Sequence, residues 1–238
     1  MNKLINWDNK TWLSSKLYIS TFNLFLLKKK KLNKNSRILD IGCGRGKIFG
    51  TLSKKLNFTN KPIGIDPVAH KDVDKLIDFK NQDIFKFFKT NQNKFDLIMI
   101  KQTLHFFKKD KRKKLIKICK KNLKKNGVLV IFSLKTKNNE IPCFKIMKHK
   151  LNRGLKRDSK MLKESCKILK NNEIDEFKFK VSITKNKYIQ MLKQKYISCL
   201  VNLNKNQISK GIKEIKITHQ KRIIFQDILV SIQYRKKK

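Results

Sequence analysis

The sequence predicts an α/β protein, a doubly wound sheet of about seven strands, with a helical segment ahead of the sheet and a helical insertion late in the chain. Three observations lead there. Between residues 36 and 134, short apolar runs alternate with stretches whose apolar residues recur every three or four positions, the pattern of strands each followed by a helix. The first run breaks into three closely spaced glycines before helical sequence resumes. Ile, Leu, Phe and Val supply 77 of 238 residues, so a chain with a formal net charge of +43 still has the material for a core.

The elements follow in order. Residues 10 to 32 carry Leu13, Leu17, Leu24 and Leu27 with Tyr18, Phe22 and Phe25 at helical spacing, and end in a run of lysines from Lys28 to Lys31 that suits a helix C-terminus. Arg37-Ile-Leu-Asp-Ile41 reads as a short buried strand, Gly42, Gly44 and Gly46 as a turn, and the sequence through Leu56 as a helix. Ile63-Gly-Ile65 is the second strand, ending at Asp66. A helix near residues 70 to 78 and a short segment ending at Asp83 come next, then Phe95 to Ile100 as the strongest buried strand. Residues 110 to 125 form a lysine-faced helix turning Leu115, Ile118 and Leu123 inward, stopped by Gly127, before a fifth strand at Val128 to Phe132. Beyond residue 133 the pattern predicts helices over 143 to 170, a strand at Glu176 to Ile183, helices over 186 to 215 and a last strand at Ile223 to Tyr234. The expected organisation is a helical cap at 1–35, a ligand-binding core at 36–134, and a remainder of the same domain at 135–238 with its helical insertion near 187–217.

The charge is a lysine charge. Arg supplies only 7 of the 60 basic residues, whereas nucleic-acid readers lean on Arg for bidentate contacts to bases and phosphates. No single block concentrates it, and Ala occurs once, at Ala69, while the abundant Lys, Asn and Ile share A/T-rich codons. Compositional drift therefore accounts for most of the charge, and a nucleic-acid partner is possible but not favoured. Cys43, Cys119, Cys143, Cys166 and Cys199 are odd in number with no C-x-x-C pair, which indicates neither a disulfide framework nor a zinc site. The apolar run within Phe22 to Leu27 is too short to span a bilayer and lacks a cleavage pattern. The expectation is a cytoplasmic protein with no membrane partner and no metal.

The sharpest constellation is Ile38-Leu-Asp40-Ile-Gly42-Cys43-Gly44-Arg-Gly46. A glycine turn between a parallel strand and a helix lets the backbone approach a ligand and points amides at it. Here an acid stands two residues before the first glycine, and Asp66 follows at the end of the next strand. The segment resembles motif I of class I S-adenosylmethionine-dependent methyltransferases, D/E-x-G-x-G-x-G, and the resemblance extends over residues 36 to 134, toward the small-molecule branch similar to methyltransferase type 11. It implies a Rossmann-like sheet, mostly parallel with an antiparallel last strand, and S-adenosylmethionine as cofactor. It also implies cofactor-binding roles for Gly42, Cys43, Gly44 and Gly46 around the methionine and ribose. Asp40 would orient the cofactor, Asp66 would accept from the ribose hydroxyls, Asp83 and Ile84 would meet the adenine, and Lys101 would line the site mainly through its backbone. The Leu104-His105 turn after the fourth strand matches the same branch and makes His105 the candidate catalytic residue, since histidine can accept a proton near neutral pH.

Eight of the twelve Asp residues lie between 40 and 110, so acids gather where a sulfonium would have to be tolerated within a positive protein. Nicotinamide binding fits poorly, because Lys47 and Ile48 stand where the G-x-G-x-x-G fingerprint wants its third glycine. Pro142-Cys143 follows the wrong strand to serve as the Pro-Cys pair of pyrimidine carbon-5 methyltransferases. Trp7, Trp12 and Tyr18, together with Tyr188, Met191, Leu192, Tyr196 and Leu200, are candidates for either core packing or a lid over the substrate. The expected reaction is direct in-line methyl transfer to a small anionic or polar acceptor. The competing expectations are an RNA or ribosomal methyltransferase sharing the cofactor site, and a catalytically idle binding protein on the same fold.

Overall fold

The computed structural model describes residues 11–237, so Trp7 lies outside the described residues. A short 3-10 turn at Trp12–Ser14 precedes α1 (Lys16–Lys29), whose first turn is capped by the Ser15 hydroxyl accepting from the Tyr18 amide. The Rossmann-like core follows as β1 (Ile38–Ile41), α2 (Lys47–Leu56), β2 (Ile63–Ile65), β3 (Asp78–Lys80), α3 (Ile84–Thr90), β4 (Phe95–Lys101), α4 (Lys109–Lys121) and β5 (Leu123–Leu134). The chain then runs through α5 (Lys145–Leu169), β6 (Asn172–Thr184), α6 (Lys185–Lys193), α7 (Lys205–Thr218) and β7 (Arg222–Arg235).

All seven strands join one sheet in the order β3-β2-β1-β4-β5-β7-β6. The first five are parallel, and β7 runs antiparallel to both its neighbours, β5 and β6. The parallel strands carry near-continuous apolar runs because helices cover both faces. On one face α1 packs Tyr18, Phe22 and Leu26 against Met99, Phe132 and Phe177; on the other, α3 and α4 bury Phe87, Leu115 and Ile116 against Ile41, Ile98 and Ile131. Tyr18 and Phe22 meet Phe177 edge-on at 5.5 and 5.1 Å, a geometry that aromatic quadrupoles favour.

Three elements depart from expectation. Residues 71 to 77 are bends and turns, not a helix: the Asp74 amide donates to the Arg45 carbonyl at 2.9 Å, Asp72 sits at φ 59°, and Ile77 is laid against Gly46. Gly127 does not stop α4, which ends at Lys121 with Asn122 as its cap; it lies in an irregular stretch of β5 where a side chain would strike the Phe95 carbonyl oxygen at 2.7 Å. The strand expected at Glu176 begins at Asn172 instead, because β6 is an edge strand whose polar start is paired along its length with β7.

Candidate active site

Strands β1, β2 and β4 end level, with Ile41 opposite both Ile65 and Ile100. The glycine turn, Asp66 and Lys101 therefore leave the carboxyl edge of the sheet side by side, where open α/β sheets bind ligands. The turn is anchored by the Gly42 and Cys43 amides, which donate to the Ile65 carbonyl at 2.8 and 3.3 Å. Gly42 and Gly44 both take positive φ, +74° and +54°, but for different surroundings. A Cβ on Gly42 would lie 2.0 Å from the Thr103 Oγ1, whereas a Cβ on Gly44 would meet none of the described residues within 4 Å. The turn is thus packed shut on its inner side and open at Gly44.

Two carboxylates flank that opening. Asp40 is 3% exposed, and its Oδ1 has no hydrogen-bond partner among the described residues. Burial raises its carboxyl to about 7, aided by the charge of Asp66 and opposed by that of Lys101. Asp66 is held by backbone: its Oδ2 accepts from the Gly44 amide at 3.0 Å and its Oδ1 from the Val68 amide at 2.9 Å, with His70 Nε2 3.7 Å away. The acid and the glycine turn are therefore one hydrogen-bonded unit.

The remaining predicted positions fall as follows. Asp83 caps α3, its Oδ1 accepting from the Phe85 amide at 2.8 Å, and the Ile84 side chain is buried in the core behind it. The Cys43 thiol packs toward Gly64, and burial raises its pKa far above the ordinary thiol range. Lys101 extends beneath α1, its Nζ 5.4 Å from the ring centroids of both Tyr18 and Phe22. His105 lies in a 3-10 turn at Leu104–Phe106; burial lowers its pKa, and of the two charges that act on it from α5, Asp158 raises it and Arg157 lowers it further.

Several residues at the site were not foreseen. Thr103 closes the glycine turn, and His70 faces Asp66, for which the i, i+4 spacing was the available signal. Asp227 on β7 is 2% exposed, with its Oδ2 accepting the Trp12 indole N–H at 2.8 Å. A lone carboxylate in the apolar run Ile223 to Val230 was its signal. The Trp12 ring packs edge-on against Tyr196 and Phe225, Tyr188 bonds the Pro142 carbonyl, and the Tyr188 and Tyr196 hydroxyls stand 3.1 Å apart. The late insertion and the N-terminal segment thus meet over the β6–β7 ribbon. Beside the end of β5 a cleft of about 200 Å³ is lined by Thr136, Asn139, Cys143, Lys148 and Asn152, among others.

A Rossmann-like sheet with an antiparallel β7 and an acid-flanked glycine turn after β1 defines a class of protein, the methyltransferase fold. The model of a methyltransferase domain family matches residues 14–151, more than half of the chain, and the chain belongs to that family. It is an enzyme of the methyltransferase class. Solved structures agree in fold. The plantazolicin methyltransferase BpumL, crystallised with a pentazolic desmethylPZN analogue and SAH, is 16% identical with a TM-score of 0.54, covering 98% of this chain and 89% of that one. A protein of an antibiotic biosynthesis pathway in Anabaena variabilis, described as a methyltransferase, is 12% identical with a TM-score of 0.61, covering 88% and 95%. A SAM-dependent methyltransferase from Archaeoglobus fulgidus is 18% identical with a TM-score of 0.52, covering 92% and 93%. No curated protein matches this chain in sequence.

Proposed function

We propose that the protein transfers a methyl group from S-adenosylmethionine to a small polar acceptor by direct in-line displacement. The observation that carries this reading is the pairing of an open Gly44 with the unpartnered Oδ1 of Asp40 beneath the same turn. A buried carboxylate oxygen without a donor is costly in isolation, and a cationic ligand at the turn removes that cost. When bound, the cofactor supplies an activated methyl group on sulfur, which departs as a neutral thioether. The glycine turn gives backbone access, Asp40 balances positive charge, and Asp66 orients the ribose while bracing the turn. Asp83 and the Ile84 backbone meet the adenine, Cys43 contributes its backbone, and Lys101 closes the edge of the site.

The chain's own catalytic work is positioning and exclusion of water, which can supply several kcal/mol without a covalent enzyme intermediate. His105 is the polar helper. Its imidazole is neutral at neutral pH because burial lowers its pKa, which leaves a ring nitrogen able to take a proton from the acceptor. The segments around Trp12 and α6 form the roof over the acceptor. Among the described residues no helix is long and apolar enough to cross a membrane, and the scattered cysteines suit a reducing, cytoplasmic setting.

Calorimetric titration with S-adenosylmethionine and its demethylated product tests the reading. Saturable binding of both, with Asp66→Ala weakening each, is expected; a wild-type protein that binds neither is not acting as a methyltransferase.

A further inference from the structure

The site holds a further buried carboxylate, Asp227, that the cofactor reading leaves unused. Strand β7 outruns β5: Leu229 pairs with Leu134, while Arg222 to Ile228 pair with β6 alone. This ribbon stands above the carboxyl edge of the sheet on the face that α1 covers. Its residues directed to that face are Ile223, Phe225, Asp227 and Leu229, all buried and all apolar except Asp227.

Asp227 is fixed by the Trp12 indole N–H at 2.8 Å. On α1, the buried Tyr18 ring packs edge-on at 5.0 Å against Phe179, the cross-strand partner of Asp227, and its hydroxyl has no hydrogen-bond partner among the described residues; the ionisation of Tyr18 is opposed first by burial and then by the charge of Asp227. Lys101 acts on both Asp40 and Asp227, and Asp66 adds a further negative charge at Asp40. A purely structural tie between Trp12 and β7 would need only a neutral acceptor such as asparagine, and phenylalanine at position 18 would spare the burial of an idle hydroxyl. The arrangement makes sense if a donor-bearing group enters between them.

Building on the methyltransferase reading, we propose that Asp227 and Tyr18 form the subsite for the acceptor's head group, and that this head group is an amine. The Asp227 carboxylate takes the ammonium as an ion pair and the Tyr18 hydroxyl accepts a second N–H. A carboxylate or phosphate in the same place would face Asp227 and Asp40 together, with Lys101 the cation among the described residues that acts on both. The net charge of +43 governs which molecules are drawn near, and these interior acids govern which one is kept.

The test uses the full chain loaded with the demethylated cofactor, titrated with phenethylamine and putrescine against hydrocinnamate and succinate. The amines should bind saturably and the acids at least tenfold more weakly. Asp227→Asn, which keeps an acceptor for Trp12, should weaken amine binding tenfold or more while cofactor affinity stays within twofold. Tyr18→Phe removes only the unpartnered hydroxyl, so it should melt no lower than wild type yet bind the amines severalfold more weakly, and it carries the test if Asp227→Asn fails to fold. Acids binding as well as amines, amines failing to bind the loaded wild type, or amine affinity unchanged in the variants would each overturn the subsite. Failure of the wild type to bind the demethylated cofactor would instead overturn the methyltransferase reading on which the subsite rests.

Discussion

Replacing Asp40 by asparagine should separate the cost of the site from its use. In the free protein the Asp40 carboxyl is raised from 3.8 to about 7, which corresponds to roughly 4 kcal/mol for keeping it ionised, at about 1.4 kcal/mol per tenfold change in proton affinity. Between those pH values the folded chain holds a proton that the unfolded chain has lost. Stability attributable to Asp40 is therefore full below about pH 4, falls as pH rises, and is gone above about pH 7. Asp40→Asn cannot ionise, so the variant should equal wild type near pH 4 and exceed it by up to about 4 kcal/mol at pH 8, an upper limit because burying the amide offsets part of the gain.

Cofactor binding should show the opposite trend. If a cationic ligand selects ionised Asp40, its binding releases a proton, and wild-type affinity for S-adenosylmethionine rises with pH up to about 7 and then levels. In Asp40→Asn that slope should vanish and affinity at pH 8 should fall by about 1.5–3 kcal/mol, the range for hydrogen bonds to charged groups. Calorimetry in buffers of different ionisation enthalpy counts the released protons directly. A wild-type affinity flat from pH 5 to 8, or a slope that survives in Asp40→Asn, would refute the reasoning.

The two glycines of the turn should behave differently. Gly42→Ala meets Thr103 at 2.0 Å and should cost at least about 2 kcal/mol of stability, whereas Gly44→Ala meets no atom and should cost only the left-handed penalty of about 1–2 kcal/mol while weakening cofactor binding tenfold or more; thermal melts and titration read both. Asp66→Ala should weaken cofactor binding by about 1.5–3 kcal/mol, and exchange of the Gly44 and Val68 amides should quicken because both donate to that carboxylate. Trp12→Phe should lower stability by about 1.5–3 kcal/mol through loss of its bond to buried Asp227, measured by denaturant unfolding. His105→Ala should lower kcat by about a hundredfold, the low end for general-base contributions, with the wild-type rate level above about pH 6.5 and falling only below it, since the folded imidazole protonates later than a free one.

What could be read in the sequence, and what could not, divides along the range of the interactions. The glycine turn was legible because its constraint is local: a strand must turn into a helix within five residues, and only glycine takes the positive φ that Gly42, Gly44 and Gly46 adopt without strain. Asp66 was legible because it ends the adjacent strand. Residues 70 to 78 misled because apolar spacing there matched a helix, while the deciding contacts come from elsewhere: Asp74 bonds the Arg45 carbonyl and Ile77 fills the space under Gly46. The pairing of Trp12 with Asp227 spans 215 positions, and no periodicity in either segment encodes it. The side proposed for the acceptor is assembled from such long pairings, between the N-terminal segment around Trp12, the insertion around Tyr188 and Tyr196, and the overhanging part of β7. The side proposed for the cofactor is centred on one contiguous strand, turn and helix, with Asp66, Asp83 and Lys101 added from the ends of neighbouring elements. That asymmetry is why a reading from sequence reaches the methyl donor well before the acceptor, and why the residues that choose the acceptor should be sought on β7 and α1, outside the glycine motif.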